Sequence, residues 1–195
     1  MVETRVSLIQ RVRNKSDEVA WTEFFTIYHP LLMAYFRKQG VLEHDAADLV
    51  QDLFTRLVPA MSRFEFDSGR GRFRTWLWRV TQNALTDWSR RQVVRNRAEQ
   101  GWADQHEPTD ADGASREWDE MYRRRILEVG IEQVRQTTQP ATWACFEGKI
   151  LKGRPASEVA AELGVSTNVV YVNASRVLAR LRDELATFEE SLAPS

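Results

Sequence analysis

The chain has 195 residues, 43% of them hydrophobic and 28% charged, and a formal net charge of -1. That length holds one ordinary domain or two small ones, and no apolar run approaches the roughly 18 residues of a membrane span, so no insertion into a bilayer is expected. A near-neutral average argues against a uniformly basic nucleic-acid binder, yet the charge is sorted: residues 70–97 hold eight arginines and one acid, residues 98–120 eight acids and one arginine.

Helical periodicity dominates and nothing reads as a strand ladder. The opening MVETRVSLIQRVRNK lacks the long apolar core and small-residue cleavage site of a secretory signal, so a cytoplasmic protein is expected. Ser16 is placed to cap a helix with Asp17 and Glu18 in its first turn and Trp21, Phe24, Phe25 and Tyr28 on its apolar side. Pro30 should kink or interrupt that helix, and Gly40 should end it. In HDAADLVQDLFTRL, Ala46, Leu49, Val50, Leu53 and Leu57 fall on one side and Asp48, Gln51, Asp52 and Thr55 on the other, with Pro59 closing the helix. FEFDSGRGRF reads as a loop because of its glycines.

The next segment, GRFRTWLWRVTQNALTDWSRRQ, reads as a helix with distinct faces. At about 100° per residue, Phe73, Leu77, Val80 and Ala84 form a core stripe with Trp88 at its border. A second face carries Trp76, Arg79, Asn83, Thr86, Asp87 and Arg90, and Trp78 lies on a third, where packing is expected. The second face is either a solvated basic surface with Trp76 at a domain edge or a nucleic-acid surface. For the latter, arginines neutralise phosphates, Asn and Asp read base edges, and an aromatic ring stacks on an unpaired base.

After Gln92 the apolar pattern fades, and GWADQHEPTDADGAS has the composition of a flexible linker. About 20 such residues reach roughly 65 Å, well over one turn of DNA at about 34 Å. A second helical module is expected from Trp118. In its stretch ATWACF, Cys145, the one cysteine, cannot form an internal disulfide and reads as a buried small hydrophobe. In PASEVAAELGVSTNVVYVNASRVLARLRDEL, Ala160 and Gly164 sit among Val159, Leu163, Val165 and Val170 with the spacing of a helix-turn-helix. The small alanine lets two helices cross, Gly164 turns the chain and Ser166 caps the second helix. A plain helical hairpin shares part of this pattern, but Pro155, Gly164 and Ser166 together favour DNA binding. Asn168, Tyr171, Val172, Ser175 and Arg176 then face outward.

Both motifs, in this order and across an acidic linker, resemble the extracytoplasmic-function (ECF) class of bacterial sigma factors over nearly the whole chain. The fold implied is all-α: two small helical domains joined by a flexible acidic linker, the C-terminal one a helix-turn-helix. Residues 1–97 would be the domain for core binding and minus-ten melting, 98–117 the linker, and 118–195 the minus-thirty-five domain. DAADLVQDLFTRL resembles the helix that grips the polymerase clamp helices, which implies core polymerase contacts at Asp48, Gln51, Asp52, Phe54 and Thr55. FRTWLWRVTQNALTDWSRR resembles the promoter-melting and minus-ten-reading helix. That implies DNA contacts at Arg72, Arg74, Trp76, Arg79, Asn83, Thr86, Asp87, Arg90 and Arg91, with the loop from Phe64 to Phe73 helping to capture a flipped base of the non-template strand. The helix-turn-helix resembles the minus-thirty-five reader, with contacts at Ser166, Thr167, Asn168, Tyr171, Val172, Ser175 and Arg176. Where the family usually shows a threonine, a lysine and an arginine early in that helix, this chain has Val169, Tyr171 and Asn173, whereas Arg176 matches a common arginine. The departure implies a minus-thirty-five contact altered in sequence preference or weakened.

The resemblance thus implies a transcription initiation factor whose partners are core RNA polymerase and promoter DNA. It admits an anti-sigma protein as a further partner and calls for no cofactor, metal or catalytic residue. Two other readings fit parts of the sequence. A transcriptional regulator would bind duplex DNA through the helix-turn-helix without polymerase, its N-terminal module acting as a sensor or interaction domain. A metal-dependent nuclease would draw on Glu43, Asp45, Asp48 and Asp52, but a solvated acidic face is far commoner, and His29, His44 and His106 show no ligand spacing. With no phosphate-binding glycine loop or nucleophile motif, the chain is expected to act by binding rather than as an enzyme.

Overall fold

A computed structural model describes residues 6–63, 73–100 and 111–190, and every regular element among them is helical. The elements are α1 (Val6–Arg11), α2 (Glu18–Lys38), α3 (Glu43–Met61), α4 (Phe73–Gln100), α5 (Ala111–Gln136), α6 (Pro140–Phe146), α7 (Ala156–Leu163) and α8 (Thr167–Glu190), with a π-helical turn, Glu147–Leu151, continuing α6. The chain forms two compact units, Met1–Arg125 with Glu190–Ser195, and Ile126–Glu189. The break therefore lies inside α5, beyond the stretch 98–117 read as a linker. Of that stretch, residues 98–100 end α4, residues 101–110 lie outside the described residues, and residues 111–117 begin α5.

In the first unit, α2 supplies the apolar centre. Phe24 has no solvent exposure, and its ring lies 4.5 Å from Tyr28, 5.5 Å from Trp21, 5.9 Å from Phe73 and 6.1 Å from Phe54. Such pairs each contribute roughly 0.5–1.5 kcal/mol beyond their buried area, and these join α2 to the start of α4 and the middle of α3. Phe25, expected on the same apolar side, is 47% exposed instead. The α3 stripe is as expected, with Ala46, Leu49, Val50, Leu53 and Leu57 all buried. Along α4, Phe73, Leu77 and Ala84 are buried and Val80 is partly exposed. Thr81 is fully buried, its hydroxyl satisfied by the Leu77 carbonyl at 2.8 Å.

The first turns of α5 belong to this core. Trp118 is 1% and Tyr122 3% exposed. Trp118 meets the Tyr35 ring edge-on at 5.2 Å, and the Tyr122 and Tyr28 hydroxyls stand 3.4 Å apart. Burial pushes the Tyr122 phenol up to about 12 and raises Tyr35 as well, against a lowering hydrogen bond from Gln82. Lys38 and Gln39 at the end of α2 reach Glu117 at 2.7 and 2.8 Å.

Three local expectations change. The N-cap of α2 is Asp17, one residue after Ser16: its carboxylate accepts from the Ala20 amide at 2.9 Å. The Arg11 hydrogen bond, and then that amide, hold Asp17 below the usual carboxylate range. The carboxylate serves both donors at once. Pro30 does not interrupt α2, which runs through it. A proline inside a helix deprives the carbonyl four residues back of its donor, here that of Thr26. Arg125 donates to that carbonyl at 2.8 Å and to the Ile27 carbonyl at 3.0 Å. Pro59 likewise lies inside α3, which continues to the buried Met61. There the affected carbonyl belongs to Thr55, an exposed residue. Gly40 ends α2 as expected, at φ +81°.

In the second unit, Cys145, Ala156, Val159, Ala160 and Val170 form one cluster, and Val134, Phe146, Val177 and Leu181 another. Gly148 lets the π-turn approach α7, since a Cβ there would meet the Val159 side chain at 2.9 Å. Gly164 ends α7 in the left-handed region at φ +64°, a conformation glycine adopts without strain. The Ser166 hydroxyl accepts from the Val169 amide at 3.3 Å, the expected cap. Arg180 of α8 donates to the Thr137 carbonyl and hydroxyl at 3.3 and 2.8 Å, closing the end of α5.

The Pro30 and Arg125 arrangement is testable. Arg125→Met should lower the stability of the first unit by about 1 to 2 kcal/mol, and Pro30→Ala should recover most of that loss, because the alanine supplies the missing amide. Urea denaturation of the four members of the cycle measures the coupling; strictly additive effects would separate the two residues.

Candidate nucleic-acid interface

Because Phe73, Leu77, Thr81 and Ala84 turn one side of α4 into the core, the residues opposite are held toward solvent. Arg79, Asn83, Thr86, Asp87, Arg90 and Arg91 are all exposed. Trp76 is half-buried, its ring tilted against Phe73 at 5.6 Å. Asp87 lies 3.6 Å from Arg56 of α3, and Arg91 donates to the Asp87 carbonyl at 3.3 Å. The surface combines an aromatic ring, an amide and cations along one helix, a set suited to unpaired bases and phosphates.

Arg74 stands apart from this group. It lies 3.2 Å from Asp119 of α5 with its side chain 16% exposed, so it is engaged within the first unit. Arg72 and the rest of the expected melting loop, residues 64–72, lie outside the described residues. Phe73, at the end of that loop, is 1% exposed and belongs to the core.

On α3, Asp48, Gln51, Asp52 and Thr55 are exposed and Phe54 is half-buried. They line two grooves. One, of about 520 Å³, is apolar and is lined by Phe25, His29 and Phe54 together with Val50, Gln51 and Val58; the Phe25 ring stands 4.6 Å from His29 and 4.8 Å from Phe54. The other, of about 600 Å³, brings Asp45, Asp48, Gln51 and Asp52 of α3 beside Trp88, Arg91 and Gln92 of α4. Sequence reasoning missed Phe25 and His29 as surface residues. Their helical spacing gave no sign that α3 would leave that flank uncovered.

Ser166, which caps α8, and Thr167, Asn168, Tyr171, Val172, Ser175 and Arg176 along it are exposed, while Val170, Ala174 and Val177 are buried. Asn173 is turned inward, its amide donating to the Cys145 sulfur at 3.6 Å. Cys145 is buried, as its apolar setting suggested. Lys149 of the π-turn, absent from the sequence-based set, places Nζ 5.7 Å from the Tyr171 ring centre. Among the described residues no group of three or more His, Cys, Asp or Glu side chains is placed to hold a metal, so Glu43, Asp45, Asp48 and Asp52 form no such site. No helix among them is long and apolar enough to cross a membrane.

Residues 24–95, from α2 through most of α4, match the family described as sigma-70 region 2. The chain is 22% identical over 181 residues to the ECF RNA polymerase sigma factor RpoE of Cereibacter sphaeroides, covering 93% of this chain and 94% of that protein. It is 28% identical over 153 residues to the ECF RNA polymerase sigma factor SigE of Mycolicibacterium smegmatis, covering 78% of this chain and 56% of that one. Among solved structures it is similar to CnrH in complex with the cytosolic domain of CnrY, with 20% identity, 94% of this chain and 97% of that chain covered, and a TM-score of 0.36.

The contrast between the two arginines yields a prediction. Arg79→Ala should move stability by no more than about 0.5 kcal/mol, whereas Arg74→Ala, which removes a partly buried ion pair and leaves Asp119 with Arg123, should cost about 1 kcal/mol. Thermal denaturation compares them; equal small losses would return Arg74 to the exposed set.

Proposed function

We infer that this chain, which belongs to the ECF sigma factors, is a transcription initiation factor that binds core RNA polymerase, brings it to particular promoters and helps open the minus-ten region. The observation that carries the reading is the coincidence of the region 2 match with α2 to α4, where the outward side of α4 presents Trp76, Arg79 and Asn83. The chain acts by binding, alongside the polymerase in the cytoplasm.

The chemistry follows from what strand opening requires. Unstacking a base step costs a few kcal/mol, and one base-aromatic stack returns roughly 1–3 kcal/mol. Trp76 offers that stack, Asn83 and Asp87 offer hydrogen bonds to a base edge, and Arg79, Arg90 and Arg91 hold the backbone. Arg74, paired with Asp119 of α5, supports this face from one side. Asp48, Gln51, Asp52, Phe54 and Thr55 dock on the polymerase, and the helix-turn-helix of the second unit reads the upstream element. With a net charge of -1, the free chain has little general attraction for duplex DNA, and its strand-reading face has no substrate until polymerase brings unpaired bases to it. The duplex-binding regulator would need tight promoter binding by the chain alone.

Run-off transcription with purified core polymerase tests the assignment. The chain should confer promoter-specific initiation, and Asp48→Lys with Asp52→Lys should abolish it while shifting stability by no more than about 0.5 kcal/mol, since both residues are exposed. Tight sequence-specific duplex binding by the isolated chain, with no association with core polymerase, would favour the regulator.

A further inference from the structure

The outward face of α8 has an apolar centre. With Val170, Ala174 and Val177 buried on one side, the helical period puts Val172 opposite them. Asn168 and Ser175 flank it on one side, Val169 and Arg176 on the other. Val169 and Val172 are 38% and 39% exposed, and Tyr171 is 54% exposed. Single exposed valines need no explanation, but these three apolar side chains fall within the first turns of the second helix of a helix-turn-helix. In that motif this is the part that enters a groove. The cations lie at the rims. On the Tyr171 side Lys149 stands over the ring; on the other side lies the exposed Arg176.

A major groove about 12 Å wide has the complementary arrangement, phosphate strands on both borders and base edges between them. Of the groups displayed there, the thymine C5-methyl is apolar, while guanine O6 and N7 and the cytosine amine require polar partners. A valine pressed on a G·C pair would desolvate those groups and return nothing. Resting on the promoter-binding reading above, we propose that this face selects A·T pairs. Val172 and Val169 pack on thymine methyl groups, Asn168 pairs with adenine, and Lys149 and Arg176 hold the flanking phosphates. Lys149 thereby supplies a cation from outside the recognition helix, whose early turns carry none. Asn173, turned to Cys145, takes no part.

The test uses the full chain bound to core RNA polymerase and a pool of duplexes randomised over the upstream element. The selected duplex is then remade with each thymidine in turn replaced by deoxyuridine, which lacks only the methyl group. Selection should return A·T pairs at the centre of the element, and loss of a contacted methyl should weaken binding roughly fourfold. That penalty should shrink in Val172→Ala, and Val172→Arg should shift the selected pair toward G·C. Central G·C pairs selected by the native chain, or deoxyuridine without effect, would overturn the proposal and leave the promoter reading standing. Unchanged selection by Val172→Ala would overturn it too and leave the valines as a protein-docking patch. Failure of the chain to join core polymerase at all would remove both readings.

Discussion

Phe24 is fully buried where three helices meet, and its ring touches Phe54 of α3 and Phe73, the first residue of α4. A helix fixed at its first residue and again at Leu77, Thr81 and Ala84 has no freedom to rotate about its axis, so the side that carries Trp76, Arg79 and Asn83 must face solvent. The same ring contact sets α3, turning its apolar stripe inward and Asp48, Gln51 and Asp52 outward. The two candidate surfaces of the first unit are therefore opposite consequences of one packed core. Asp48 and Asp52 even share a groove with Arg91 and Trp88, so a polymerase contact there would lie directly against the helix proposed to read DNA.

Much of this was legible in the sequence because its cause is local. The 3/4 spacing of α3, the stripe of α4 and the Gly164 and Ser166 signals of the helix-turn-helix each depend on residues within a few turns of one another. The failures have distant causes. Pro30 reads as a break because nothing near it replaces the lost amide; the replacement, Arg125, is 99 residues from Thr26 along the chain. Arg74, expected to contact DNA, also pairs with Asp119, which the sequence does not reveal because that residue lies beyond an acidic stretch with the composition of a linker. Trp118 reads as the start of a new module, and only the Tyr35 ring beside it shows that α5 begins in the first unit. The cap of α2 shifted from Ser16 to Asp17 because Arg11 rewards a carboxylate over a hydroxyl.

The candidate nucleic-acid surfaces of the two units differ in chemistry. On α4 the surface is cationic and aromatic, suited to backbone and unstacked bases with little regard to a duplex. On α8 the outward centre is apolar, with cations only at its rims. A near-neutral chain so divided gains little from general attraction to DNA, and on the proposed function its specificity would depend on polymerase to present the right strand.

If the outward side of α4 captures bases as the duplex opens, Trp76 should be needed for opening and not for closed-complex binding. Permanganate footprinting of polymerase carrying Trp76→Ala, on duplex and on pre-opened promoter templates, tests this most directly. Closed-complex binding should survive, thymine reactivity in the minus-ten region should fall on duplex templates, and a pre-opened bubble should restore initiation. Full thymine reactivity on duplex DNA with the variant would contradict that role for Trp76.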